Sequence, residues 1–355
     1  MAVIDMLSRL NMDTTVLRAR MATLTQQTTT GLKSQQLGGL GQDLPQALDL
    51  KAAIHRQQTY TAAISAAGGR ATGTQAALSQ LHDIASHFAD SVAIKLDPND
   101  PQGIVRAATS ARDALVQVAN LLNSQQGGQY LFGGTDLANP PVPDAANIGT
   151  AGFATQIGAA LGTLGGGNAA AVMTSAVTAA GSNAAGVTPF SAFLSNPASG
   201  LNEARRAVPT ADGLTLPYGV SANRNAAATS TGANTTGSWA RDLLGGLAML
   251  ANMTPANAAS QPDFTQLVQG VTGWLKGAST TIGEEAGALG QTQAQLDKLQ
   301  TIQAETVTAL TVQLSGVQEV DMAETITRLQ GAQTVLQASY SAISQLGSLS
   351  LVQFL

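Results

Sequence analysis

The sequence predicts a mainly α-helical protein: a long antiparallel helical bundle or coiled coil formed by the N- and C-terminal regions, with a small inserted domain that contains some β-structure. Apolar residues recur at helical spacing through both terminal regions. A central stretch, residues 139–238, is instead dominated by Gly, Ala, Thr, Asn and Pro and loses that period. The 355 residues, 44% of them apolar, are enough to bury a core.

The N-terminal region, residues 1–42, is predicted to be an assembly helix followed by a connector. Apolar residues alternate at spacings of four and three, which places one coiled-coil seam along the helix, with two threonines in it. Four glycines between residues 31 and 41 are expected to end the helix. The seam consists of Val3, Leu7, Leu10, Thr14, Leu17, Met21, Leu24 and Thr28.

Residues 43–138 and 239–318 are predicted to form the N- and C-terminal parts of a helical bundle. In the first part, a helix is expected from about Pro45 to the middle nineties, and another over residues 102–124 after a turn rich in Asp and Pro. After Gln129, three β-favouring side chains at residues 130–132 precede a Gly-Gly turn, which predicts a short strand here. In the second part, helical periodicity returns at Trp239 and resumes after Pro262.

The region between the two parts of the bundle, residues 139–238, is predicted to be an inserted, variable, solvent-facing domain. Its expected packed pieces are residues 190–194 and 214–220, of which the second is predicted to be a short strand with a turn. Residues 223–237 contain almost no large apolar side chain and are expected to be a surface loop.

Residues 319–355 are predicted to be a C-terminal assembly helix, with Asp321 as its N-cap and Glu324 at the third helical position. Neither terminal seam has an evident partner except the other, so the two helices are expected to pair antiparallel. Chain termini are usually polar, and an apolar C-terminus therefore indicates assembly. The apolar stripe consists of Val320, Ile326, Leu329, Leu336, Tyr340, Ile343 and Leu346, followed by Leu349, Leu351, Val352, Phe354 and Leu355.

Charge and composition argue against several classes of protein. A net charge of -5 with only 11% charged residues gives no basic footprint for nucleic acid or an anionic membrane surface. The absence of cysteine excludes disulfide frameworks and thiolate metal sites. Charges at Asp5 and Arg9 are unexpected in a cleaved signal peptide. No window of about 20 residues is dominated by large apolar side chains, so no membrane span is predicted.

No motif in the sequence indicates catalysis, and we expect a protein that is not an enzyme and uses no cofactor or metal. His82 and His87 are five residues apart, so they do not share a helical face as a zinc-binding pair at i and i+4 does. Glu284 and Glu285 are adjacent and diverge around a helix, which does not suit paired acid-base carboxylates. Neither the phosphate-binding glycine loop nor the nucleophile elbow motif occurs.

The C-terminal sequence resembles the terminal signature of the flagellin superfamily, in DMAETITRLQ at residues 321–330 and LQASY at residues 336–340. Within that superfamily, four stretches are similar to the junction proteins that join hook to filament: GQYLFGGT at 128–135, LPYGVSAN at 216–223, ALGQTQAQL at 288–296 and LQASY at 336–340. The resemblance covers residues 1–136 and 239–355. The opening sequence departs from the asparagine-rich start of the filament flagellins.

The resemblance implies a structural component of the bacterial flagellum, exported unfolded by the flagellar type III apparatus without a cleaved signal. It would be assembled outside the cell as a ring joining hook to filament. The first alternative is a flagellin subunit of the filament itself. A lower-ranked alternative is an exported adhesin or effector with flagellin-like ends.

The resemblance also implies the partners. These are further copies of the chain in the ring, a neighbouring hook-associated protein on the hook side, flagellin or cap-side subunits on the distal side, and a cytoplasmic export chaperone on the C-terminal helix; neither nucleic acid nor membrane is expected. The expected assembly and chaperone interface comprises Leu7, Leu10, Leu17, Met21, Leu24, Ile326, Leu329, Leu336, Tyr340, Ile343, Leu349, Leu351 and Phe354.

Overall fold

A computed structural model of the chain describes the backbone of residues 2–352 and the side-chain surroundings of residues 9 and 11–345. The fold is 69% helical with two small antiparallel hairpins in the described residues, which confirms the predicted fold class. The helices are α1 (Ala2–Thr30), α2 (Leu44–His87), α3 (Pro101–Leu122), α4 (Gly152–Leu161), α5 (Ala169–Gly181), α6 (Ala192–Ser195), α7 (Trp239–Ala251), α8 (Gln261–Gln318) and α9 (Met322–Val352). Strand β1 (Gln125–Gln126) pairs with β2 (Gln129–Tyr130), and β3 (Ala207–Ala211) pairs with β4 (Leu214–Pro217).

Contacts divide the chain into two compact units. The terminal unit contains the described residues up to Thr59 and from Gln303, and the central unit is Tyr60–Ile302. The boundaries fall inside α2 and α8. The five-part division by sequence stays a prediction. Within the described residues, none of the helices combines the length and hydrophobicity that crossing a membrane requires.

The local sequence explains where α3 begins and which face it buries. Asp100 precedes the helix, and its Oδ1 accepts a hydrogen bond from the Gly103 N–H at 2.8 Å. Pro101 occupies the first turn, where its missing N–H has no helical acceptor to lose. The buried residues follow the helical period, so this face packs into the core of the central unit. They include Ile104, Ala108, Ala111, Leu115, Val118 and Leu122.

Helices α4 and α5 lie in residues 139–238, where the sequence showed no helical period. Both pack against α7, and Phe153, Ile157 and Met173 belong to the same hydrophobic cluster as α3 and α7. The buried faces of α4 and α5 are rich in alanine, for example Ala176 and Ala180. Because alanine contributes little contrast between a buried and an exposed face, these helices give a weak periodic signal.

Helix α7 is buried along its whole length and includes the charged residue Arg241. The Arg241 guanidinium donates hydrogen bonds to the backbone oxygens of Ala180 and Ser182, at 3.1 and 2.9 Å, at the C-terminal end of α5. It also lies 5.0 Å from the ring centroid of Phe190. Burial lowers the pKa of Arg241 to about 10, with Asp242 opposing the shift. The side chain therefore stays protonated at neutral pH and holds the end of α5 on α7.

Asp242, the next residue of α7, is buried, and both oxygens of its carboxylate accept hydrogen bonds. Its oxygens accept hydrogen bonds from the Thr236 N–H at 2.6 Å, the Thr235 hydroxyl at 2.6 Å and the Trp274 indole N–H at 3.0 Å. A buried carboxylate is tolerated when charge-stabilising donors surround it. Asp242 therefore fixes the segment before α7 against α8.

Glu285 is buried, whereas its neighbour Glu284 is exposed. Glu285 Oε1 accepts hydrogen bonds from the backbone N–H groups of Ala226, Ala227 and Ala228, at 2.6, 3.0 and 2.9 Å. Successive N–H groups turned towards one point make an anion-binding concavity. The loop at residues 223–237, which has few apolar side chains of its own, is thus held by a carboxylate of α8.

We expect Glu285→Gln to lower the free energy of unfolding by about 2 kcal/mol, because hydrogen bonds to a charged acceptor are stronger than those to an amide oxygen. Urea unfolding followed by circular dichroism measures the change. Glu284→Gln is the matched control and should stay within about 0.5 kcal/mol of the parent. Equal losses in the two variants would contradict the assigned role of Glu285.

Candidate assembly surface

The end of α1 is joined to the beginning of α9 by backbone hydrogen bonds. Gly31 follows α1 with φ +73°, a left-handed conformation that favours glycine at the end of a helix. Leu32 and Glu319 form an antiparallel bridge. The Lys33 N–H donates to Gln318 O at 2.7 Å, and the Val320 N–H donates to Gly31 O at 2.9 Å. Beyond these backbone hydrogen bonds, α1 and α9 run antiparallel and pack together, as the sequence predicted.

The α1 side of this pair carries the predicted seam. Thr14 and Leu24 are buried, and Leu17 and Met21 are partly buried. Their spacings of three, four and three residues keep them on one face of the helix. In the residues whose side chains the structure describes, the predicted seam of α1 is therefore the buried face of the helix.

On α9 the inward face includes residues that the predicted stripe omitted. Leu329, Leu336 and Ile343 are partly buried, as part of that stripe. Ala332 is buried between Leu329 and Leu336, and Thr325 is buried one turn before Leu329. Small and β-branched residues thus alternate with large ones along the seam. A search of the sequence for large apolar residues alone does not detect this pattern.

The buried threonines of the seam use their hydroxyl groups within their own helices. Thr14 Oγ1 donates to Asn11 O at 2.9 Å, and Thr325 Oγ1 donates to Asp321 O at 2.7 Å. Bonds of this type satisfy a buried hydroxyl without a partner on the opposite helix. Asp321 also caps α9, because its Oδ1 accepts from the Glu324 N–H at 3.1 Å, as predicted.

Two of the predicted interface residues, Ile326 and Tyr340, are exposed beside the seam rather than buried in it. The hydroxyl oxygen of Tyr340 accepts a hydrogen bond from Arg18 Nε at 2.7 Å, and the Arg18 guanidinium carbon lies 5.4 Å from the ring centroid. Ile326 and Tyr340 therefore line the outer edge of the α1–α9 pair, where another molecule can reach them.

The remaining predicted interface residues cannot be placed on either face. Leu7, Leu10, Leu349 and Leu351 lie in α1 or α9, but their side-chain surroundings fall outside the described residues, and Phe354 lies outside the described backbone. The assignment of all thirteen residues to an assembly or chaperone interface stays a prediction.

The structure adds exposed apolar residues that the sequence analysis did not select. Met12 and Val16 are 69% and 67% exposed, one helical turn apart on the side of α1 opposite the seam, and Val335 on α9 is 55% exposed. Of the twelve large apolar side chains exposed in the described residues, eight lie in the terminal unit. Exposed apolar groups concentrated in this unit indicate that other proteins cover it on more than one side. We call Met12, Val16, Ile326, Val335 and Tyr340 the outer apolar set.

The histidines show no metal-binding arrangement. His82 Nδ1 lies 3.0 Å from the Ser279 backbone oxygen, while His87 contacts the ring of Phe88. Across the described residues, no group of three or more His, Cys, Asp or Glu side chains could hold a metal ion.

Comparison with known proteins gives a family match over the part of the chain that forms most of α8 and all of α9. Residues 272–355 match the bacterial flagellin C-terminal helical region. No curated protein matches the sequence. A solved structure of a candidate flagellar hook-associated protein from Vibrio parahaemolyticus is 14% identical, with 75% of this chain and 96% of that chain covered, and its TM-score of 0.32 is too low to carry an argument.

We expect Leu24→Ala to lower the free energy of unfolding of the terminal unit by about 2 kcal/mol, because the substitution leaves a cavity in the seam. Val16→Ala removes an exposed side chain and should change this free energy by less than about 0.5 kcal/mol. Urea unfolding of the monomer, followed by circular dichroism, compares the two. A larger loss for Val16→Ala than for Leu24→Ala would overturn the assignment of inner and outer faces.

Proposed function

We propose that this chain is a member of the flagellin superfamily that forms the ring joining the hook of the bacterial flagellum to the filament. The match of residues 272–355 to the bacterial flagellin C-terminal helical region supports a structural role in the flagellum. The proposal adds its position, its self-assembly and its neighbours.

The observation that carries the proposal is the outer apolar set on the paired terminal helices. The described part of the terminal unit buries few large side chains, while Met12, Val16 and Val335 remain exposed. Burying apolar surface is favourable by roughly 25 cal/mol per Å², so association of neighbouring copies would stabilise this unit. The overall charged fraction of 11% limits repulsion between stacked copies.

Two of the stretches that are similar to junction proteins meet in the central unit. Ser221, in the stretch 216–223, forms an antiparallel bridge with Gly133, in the stretch 128–135. The Ala222 N–H donates to Phe132 O at 3.0 Å, and the Phe132 ring lies 5.9 Å from that of Trp239. Their association as one structural element supports the junction over the filament as the position of this protein.

The same terminal helices would serve two partners in succession. Before export, a chaperone groove would take the apolar face of α9, which presents Leu329, Leu336 and Ile343 at helical spacing. After export, that face would pair with α1, and the outer apolar set would contact neighbouring subunits. A chain without cysteine can make this passage without forming disulfides in transit.

A filament subunit is the second candidate, favoured by the match of residues 272–355 to the flagellin C-terminal region itself. The α1–α9 pair would be used in the same way in either assembly. The two functions differ in copy number, since a ring needs one layer of subunits whereas a filament needs many layers.

Labelling of intact flagella separates these two functions. The chain has no cysteine, and Leu214, at the β3–β4 turn, is 63% exposed. Cells producing Leu214→Cys should therefore react with a fluorescent maleimide at one band where hook meets filament, and parent cells should show no band. Label along the whole filament would contradict the junction and favour the flagellin alternative.

Replacement of Val335 by Asp tests the outer apolar set. Because Val335 is exposed, Val335→Asp should leave the monomer folded but prevent assembly, so that cells shed filaments into the medium. Leu214→Asp, at an equally accessible apolar site outside the terminal unit, should keep filaments attached. Circular dichroism of the secreted protein checks folding, and filament counts by electron microscopy check assembly. Normal attachment in Val335→Asp would contradict the proposed role of Val335 in assembly.

A further inference from the structure

We propose that the central unit contains an anion-binding site, in which four arginines bind a phosphate or sulfate group. Arg70, Arg205, Arg206 and Arg224 line one pocket. They come from α2, from the segment entering β3 and from the segment after β4. The inference does not depend on the proposed role in the flagellar junction.

Arg70 is held at the pocket by neutral acceptors. The side chain is buried, and its Nη1 and Nη2 donate to Gln129 Oε1 at 3.1 Å and to Tyr130 O at 2.8 Å. A guanidinium has five N–H donors in a planar fork. With a further interaction from the neighbouring Tyr218, these bonds orient the group, and they leave other donors of the guanidinium for a further acceptor.

The other three arginines are also short of anionic partners. Arg205 Nε donates to the Gly219 backbone oxygen at 3.1 Å, and Arg224 Nη2 donates to the Glu203 backbone oxygen. Arg206 Nη1 is buried without a hydrogen-bond partner in the described part of the chain. A buried polar atom without a partner is unfavourable and is uncommon in folded proteins.

The charges of these arginines oppose one another. Burial lowers the pKa of Arg70, and the nearby Arg206 lowers it further, while Tyr218 opposes the shift. Burial also lowers the pKa of Arg205, where Glu285 opposes the shift and Arg224 adds to it. Like charges close together in a partly buried site repel more strongly than in water. An anion among them would relieve this repulsion.

The nearby carboxylates are already used and do not balance the site. The Glu203 carboxylate accepts from the Thr135 N–H at 3.2 Å and from the Thr135 hydroxyl. Glu285 Oε1 accepts the three loop N–H groups described above. Among the ion pairs of the described residues, none within 4.0 Å includes any of the four arginines. Four arginines beside two carboxylates leave an excess of two positive charges.

An excess of two positive charges matches a divalent oxyanion. Phosphate and sulfate oxygens accept paired hydrogen bonds from guanidinium forks, and one such oxygen could accept from Arg206 Nη1. Water could accept that bond too, but it would leave the repulsion between the arginines unchanged. The ligand is either the free ion or the charged end group of a larger phosphorylated molecule.

Isothermal titration of the full-length chain with inorganic phosphate at pH 7.5 tests the site, with chloride at the same ionic strength as the reference. We expect a dissociation constant on the order of 1 mM and at least tenfold weaker binding in Arg206→Met. Arg112→Met, which removes an exposed arginine of α3, should bind like the parent. Parallel titration with phenyl phosphate distinguishes the sources: binding of both ligands indicates an end group, and binding of inorganic phosphate alone indicates the free ion.

Thermal unfolding separates ligand binding from a structural role of Arg206. In chloride, Arg206→Met should melt at or above the parent temperature, because it removes a buried unpaired donor and a repelling charge. Phosphate should raise the melting temperature of the parent and of Arg112→Met, but not that of Arg206→Met. If Arg206→Met does not fold, Arg206→Lys, which keeps the charge without the fork, should show the weakened binding. Equal effects of phosphate and chloride on the parent, or equal losses in Arg206→Met and Arg112→Met, would overturn the proposal.

Discussion

The antiparallel pairing of α1 with α9 is the constraint on which the terminal unit depends. Two paired helices cover only one face of each other, so residues such as Leu24 and Ala332 are buried while Met12 and Val335 stay exposed. Most helix stability in proteins comes from packing of an apolar face. Because the described pair offers a narrow seam, we infer that contacts with neighbouring subunits supply the stabilisation that the seam lacks.

The central unit is built differently, because its segments pack around helix α7, which is buried on all sides. Helix α7 carries Arg241 and Asp242 into the core, and each charge is satisfied by groups of the surrounding segments. A buried charge without partners is unfavourable, so these bonds specify how the surrounding segments pack on α7. This unit therefore holds its shape through internal contacts, whereas the terminal unit retains an outer apolar set.

The terminal helices could be predicted because large apolar residues repeat at regular spacing from Thr14 to Leu24 and from Leu329 to Ile343. Helices α4 and α5 could not, because their alanine-rich faces produce little periodic contrast. The role of Glu285 could not be predicted either, because its partners are backbone N–H groups nearly 60 residues away in sequence. Within the predicted interface, residue spacing identified the buried seam but not its limits. Ile326 and Tyr340 have the spacing of the predicted stripe, yet both are exposed beside the buried face.

We infer that neighbouring subunits cover the outer apolar set in the assembled flagellum. Maleimide reactivity of Met12→Cys tests it most directly, because Met12 is 69% exposed and the chain has no other cysteine. We expect rapid labelling of the secreted monomer and strong protection in purified hook-filament complexes, while Leu214→Cys labels rapidly in both. Equal reactivity of Met12→Cys in monomer and complex would contradict it.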